Sequence, residues 1–120
     1  MAVGRFEDMK IWQEAGQLSL SIYKLLKDNK DFGYKDQIQS AAVSVMNNVA
    51  EGYERGTVRM FINHLLMAKG SCGEVRSMLY LGLKLNYLDQ ESYIQLTDQS
   101  ISISRMIHGF IRSLKNQNDS

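Results

Sequence analysis

Apolar positions recur along this chain at alternating steps of four and three, the period of one helix face, in four separate segments. Over residues 7–27 the apolar set is Ile11, Ala15, Leu18, Ile22 and Leu25, while Lys10, Glu14, Gln17, Ser21 and Lys24 fall on the opposite face. This predicts a first helix over 7–27. The run DNKDFG at 28–33 reads as a turn, with Phe32 placed to plug the end of the core. A second helix is predicted over 34–51, where Ile38, Ala41, Ala42, Val45 and Val49 form a narrow stripe of mostly small residues. Gly52 and Gly56 are expected to end it and turn the chain, and Thr57 to cap the next helix.

The third helix, predicted over 58–85, is the most apolar. Phe61, Leu65, Ala68, Cys72, Val75 and Leu79 keep the four-three alternation of a bundle seam. Ile62, Leu66, Gly73 and Tyr80 form a second stripe, and Met60, Met67 and Met78 add apolar surface on the other flank. A helix that is apolar on most sides is buried on most sides, which one layer of neighbours in a small bundle cannot achieve. A second subunit is therefore the expected cover, and Val58, Met60, Ile62, Leu66, Met67, Gly70, Gly73 and Tyr80 are the candidate subunit or partner interface. Each mid-helix Gly costs roughly 1 kcal/mol, so another helix backbone is expected to pass close to Gly70 or Gly73.

Asn86-Tyr87-Leu88 reads as a short connection, and Asp89 as the cap of a fourth helix over 90–115. Its core face is Tyr93, Leu96, Ser100, Ile103, Ile107, Phe110 and Leu114; residues 116–120 are expected to form a disordered tail. Four helices with short links predict an all-α fold, an antiparallel up-down-up-down four-helix bundle in one domain over residues 1–120. The absence of Pro from all 120 residues suits long uninterrupted helices. No apolar run approaches the length of about 20 residues needed to span a bilayer, and no signal-peptide core stands at the N-terminus. The expected location is cytoplasmic, with no membrane partner.

A formal net charge of +1 gives no support to nucleic-acid binding by bulk charge, so such binding requires a local patch. Arg105, His108, Arg112 and Lys115 follow one another at three, four and three residues, on one face of the fourth helix. Such a stripe can grip a phosphate backbone, or can simply complement the helix dipole from a solvated face. Arg55, Arg59, Lys69 and Arg76 make a second basic set, with Glu51, Glu54 and Glu74 as available salt-bridge partners. The candidate nucleic-acid-binding residues are Arg105, His108, Arg112, Lys115, Arg55 and Lys69.

Catalytic chemistry finds little to work with. Cys72 is the single cysteine, which excludes an intramolecular disulfide and a cysteine-based zinc site, and its apolar helical surroundings predict a buried, inert thiol. A carboxylate-bridged metal centre in a bundle core needs two Glu-x-x-His pairs; the positions three before His64 and His108 hold Phe61 and Arg105. No nucleophile arrangement, phosphate-binding glycine loop or CxxC occurs. No catalytic, cofactor-binding or metal residue is assigned, and a non-enzymatic role is expected.

Several segments together resemble a known family. Phe6-Glu7-Asp8-Met9-Lys10-Ile11-Trp12-Gln13, Gln37-Ile38 leading to Ala41-Ala42-Val43-Ser44, Asn48-Val49-Ala50-Glu51-Gly52, Phe61-Ile62, and Ala68-Lys69-Gly70-Ser71 with Glu74 are similar to the four-helix bundle proteins encoded in intervening sequences of large-subunit ribosomal RNA genes. The resemblance implies a closed homopentamer of four-helix protomers. The accessory variability proteins of diversity-generating retroelements look similar in fold and assembly, and they bind nucleic acid and a reverse transcriptase. The chain departs from the family pattern at Gln39 and Ser40, where a basic pair is common, at Met46, where Pro is common, and at Val58, Arg59 and Met60, where polar or acidic residues are usual. The expected function is a non-enzymatic, oligomeric binding or scaffolding module, with RNA or a second protein component as candidate partner. The alternative is a purely structural self-assembling subunit without nucleic-acid activity, its surface drifted naturally or redesigned to dock a second component.

Overall fold

The computed structural model describes residues 4–119, and among them it contains four long helices and no strand. A 3-10 turn at Phe6–Asp8 leads into α1 (Lys10–Leu25), followed by α2 (Phe32–Glu54), α3 (Val58–Lys84) and α4 (Gln90–Asp119). The molecule measures 50 × 20 × 20 Å. α1 packs against α2 and α4, and α3 likewise, while the backbones of α1 and α3 do not come close. They therefore lie diagonally across one core.

The periodic segments locate that core well. Ile11, Ala15, Leu18 and Ile22 of α1, all five stripe residues of α2 and all six seam residues of α3 are buried. On α4, Leu96, Ser100, Ile103, Ile107 and Leu114 are buried as expected, joined by Ile111, whereas Tyr93 and Phe110 are only half-buried. Met78, expected on an outer flank, is buried because it sits beside Tyr34, whose hydroxyl donates to the Met78 carbonyl at 2.6 Å.

Helix limits differ from the periodicity where side chains intervene. The first helix begins at Lys10 because the backbone at Met9 is extended; the preceding turn is held by Gln13 Nε2, which donates to the Glu7 carbonyl at 3.0 Å, and by Phe6 set edge-on to Trp12 at 5.4 Å. The second begins at Phe32, since the Asp31 carboxylate accepts from Tyr34 N at 3.2 Å and caps it. Phe32 does not plug the end of the core: it is 64% exposed. That end is closed by Tyr34 and Tyr87, whose rings meet edge-on at 5.0 Å, with the Tyr87 hydroxyl donating to Asp31. At the C-terminus, residues 116–119 continue α4 rather than forming a tail; Ser120 lies outside the described residues.

Glycine roles are redistributed. Gly52 does not end α2, which runs on to Glu54; it is buried inside the helix. A Cβ there would lie 2.7 Å from His64 Cβ and 2.9 Å from Phe61 Cδ1, so Gly52 is where α2 and α3 press together. Gly56, at φ +86°, makes the turn alone, a conformation that L side chains resist. Gly70 and Gly73 have open space where a Cβ would stand, so no helix of this chain passes close to either. The α2–α3 contacts run in opposite order along the two helices: Tyr34 with Met78, Ser44 with Ser71, Asn48 with His64, Gly52 with Phe61.

Candidate functional site

Two surfaces carry chemistry beyond the core. The first is basic. Arg105, His108, Arg112 and Lys115 are all exposed on α4, and none forms an ion pair among the described residues. Buried Ile103, Ile107, Ile111 and Leu114 fix the rotation of α4, which turns the intervening cations outward. Lys69 of α3 joins the stripe, its Nζ standing 3.5 Å from His108 Nδ1.

Arg55 is not brought to this stripe. It follows directly on α2, which lies diagonal to α4, and pairs with Glu51 of α2 at 3.8 Å. Of the second basic set, Arg55 is the one member found in a salt bridge among the described residues; Glu54 and Glu74 pair with none. His64 stands apart as well. Asn48 spends its amide hydrogens on the Ser44 carbonyl and hydroxyl at 2.9 and 3.0 Å, so its Oδ1 accepts from His64 Nδ1 at 3.1 Å. With the Ser44–Ser71 contact at 2.9 Å this polar cluster joins α2 to α3. Cys72 is fully buried and its thiol is pushed up to about 11 by that burial, which leaves it protonated and unreactive at neutral pH. No group of three or more His, Cys, Asp or Glu side chains is placed to hold a metal among the described residues.

The second surface is apolar and has two parts. On α3, Leu66, Met67 and Tyr80 are 52%, 51% and 54% exposed, and Met60 and Gly70 are exposed too. Val58, Ile62 and Gly73 are half-buried at the edge of this ridge. Leu81 extends it, a residue that the sequence reading passed over. The other part was not foreseen. Trp12, Gly16, Leu20 and Tyr23 of α1, with Met46 of α2, line an open cleft of about 570 Å³ whose remaining lining is Gln13, Gln17 and Ser19. Its signal was present, since residues 12, 16, 20 and 23 follow a helical spacing beside the core face. Met46 completes it from another helix, which spacing along α1 could not reveal.

The 23S rRNA-intervening sequence protein model matches residues 7–109. The chain belongs to the 23S rRNA-intervening sequence protein family. The match runs from the turn before α1 through most of α4, and takes in Lys69, Arg105 and His108 but not Arg112 or Lys115. Among solved structures, this member of the family is similar to a protein of unknown function from the S23 ribosomal protein family of Bacteroides thetaiotaomicron VPI-5482. The TM-score is 0.78 at 24% identity, over 84% of this chain and 97% of that one, a likeness that extends to the fold. A comparison with curated proteins finds no match. No described helix of this intervening-sequence protein is long and apolar enough to cross a membrane.

Proposed function

We propose that this intervening-sequence protein is a non-catalytic assembly module: an up-down-up-down bundle that associates into a ring, five-membered by resemblance, and offers a basic face to RNA. The observation that carries the reading is the exposed ridge of α3. Leu66 and Tyr80 on one flank of α3 and Met67 on the other are each about half exposed, with Met60 and Leu81 exposed as well. Leaving such area wet forgoes about 25 cal/mol per Å², and contiguous exposed apolar patches mark contact sites. The cover is a set of neighbouring protomers, with an interface of at least roughly 1,000 Å². RNA is favoured as ligand by the α4 stripe, whose four cations and the adjoining Lys69 follow one side of the molecule without acidic partners.

The test is a salt titration of RNA binding by gel shift or filter retention. Phosphate contacts release counterions, so log affinity should fall linearly with log salt. Replacing Arg105, Arg112 and Lys115 by Gln should weaken binding to all sequences alike and flatten that slope. Unchanged binding in the triple variant would remove the stripe from the function. The structural-subunit alternative is favoured by one feature: Gln39 is almost fully buried and Ser40 is uncharged, at the positions where the resembled family commonly carries a basic pair. Complete absence of RNA binding by the parent protein at low salt would decide for that alternative.

A further inference from the structure

His108 is the one member of the α4 stripe whose charge changes near neutral pH. Arg105, Arg112 and Lys115 are cations there throughout, whereas an imidazole ordinarily titrates near pH 6.5. We infer that His108 takes up a proton when RNA binds, so that the basic face grips a phosphate backbone more tightly as pH falls. This rests on the RNA reading of that face and adds how its binding is regulated.

Placement carries the inference. Helices rise about 1.5 Å per residue, so the stripe extends for ~15 Å, with His108 ~4.5 Å past Arg105 and ~6 Å before Arg112. His108 is exposed, and Lys69 Nζ approaches its Nδ1 to 3.5 Å from α3. An ammonium and an imidazolium are both donors only, so a charged His108 and Lys69 need an acceptor between them. A phosphate oxygen is such an acceptor, and its negative charge offsets the surrounding cations. Without it, a charged His108 would be repelled by Lys69, Arg105 and Arg112 alike.

The carboxylates of the neighbouring elements are placed elsewhere. Glu91, Asp98 and Asp119 of α4 are at least ten residues from His108 in sequence, ~15 Å or more along the helix. Glu74, the one acidic residue of α3, follows Lys69 by five residues and so lies about 140° round the helix from it. The other full charges of α3, Arg59, Arg76 and Lys84, are cations. α1 meets α4 along Ser92, Gln95 and Leu96, where Lys24 stands. Gln95 is about 140° round α4 from His108 by helical spacing, so Lys24 lies on the far flank, with Lys10 and Glu14 on the same polar face of α1. α2 is diagonal to α4. His108 thus has cations about it and forms no ion pair among the described residues, the setting in which an arriving anion alters protonation most. Since the proton is held more tightly in the complex than in the free protein, the extra affinity is full below the free imidazole's range. It is lost as pH rises through the bound imidazole's range.

Filter retention of an end-labelled, mixed-sequence single-stranded RNA at about pH 5.5 and about pH 8, at matched ionic strength, tests the link. Circular dichroism at both pH values checks that each protein is folded. The parent should bind roughly three- to tenfold more tightly at the lower pH, with a salt slope steeper by about 0.7, the contribution of one further phosphate contact. His108→Gln should match the parent at the higher pH and lose the gain at the lower. His108→Lys, charged at both, should bind tightly and with the steeper slope at both, which a merely structural role for the ring would not produce. His64→Gln should keep the parent's response, since His64 is tied to Asn48 between α2 and α3. If the parent binds equally at both pH values, or if His108→Gln retains the response, proton uptake at His108 is wrong while the RNA reading stands. Absence of binding by the parent at both pH values in low salt would overturn both.

Discussion

Two glycines depart from their expected roles, and in opposite senses. Gly52 has Phe61 and His64 packed where a Cβ would go, whereas Gly70 has open space. Gly52→Ala should therefore destabilise by about 1–3 kcal/mol through overpacking. Gly70→Ala should stabilise α3 by roughly 0.5–1 kcal/mol, since an exposed helical glycine carries only its entropy cost. Denaturant titrations of the two variants at one protein concentration check both signs; equal shifts in the same direction would contradict the account. At the end of the molecule, the Asp31 carboxyl is held below the usual carboxylate range by the Tyr87 hydroxyl first and the Tyr34 backbone N–H second. Asp89 is lowered by its cap bond to Ser92 N. A carboxyl depressed in the folded state contributes stability that is complete above its unfolded value near 4 and is lost as pH falls through the folded value. Stability should thus decline below about pH 4, and the Asp31→Asn, Asp89→Asn double variant should show a shallower decline in urea midpoint. Tyr34 moves the other way: burial pushes its hydroxyl up to about 12, so its contribution is complete below pH ~10 and disappears as pH rises through the folded value.

Helix existence was written in the four-three alternation, and most of the core with it, because a face must be apolar throughout to be buried. Limits were less legible because single side chains set them. Thr57 was readable as a cap and accepts from Met60 N at 3.2 Å; Thr57→Ala should cost about 1 kcal/mol, measurable by thermal melting. Asn86, which read only as part of a connection, adopts φ 63° and closes α3 with Tyr87 N donating to the Gly82 carbonyl at 2.8 Å and Asn86 N to that of Leu83 at 3.1 Å, a motif that glycine or asparagine serves. Gly52 was misread because a glycine near a predicted helix end resembles a terminator, and only the position of α3 distinguishes the two roles. Phe32 was misread because burial depends on where α2 begins, and Asp31 starts it early enough to turn that ring outward.

For the whole molecule, the sequence disclosed one apolar surface and concealed the other. The exposed apolar residues of α3 all lie on one helix, so an excess of apolar residues revealed them. The cleft is shared by α1 and α2, and required the tertiary arrangement to bring Met46 beside Gly16 and Leu20. The basic face lies between these cases: α4 displays its own four cations, while Lys69 joins from α3 only through the fold. Assembly is the claim on which the ring and the covering of the exposed apolar residues of α3 depend. Multi-angle light scattering of the unmodified chain at micromolar concentration tests it most directly. A discrete species several times the chain mass, five times by resemblance, is the expected result; a clean monomer would contradict it.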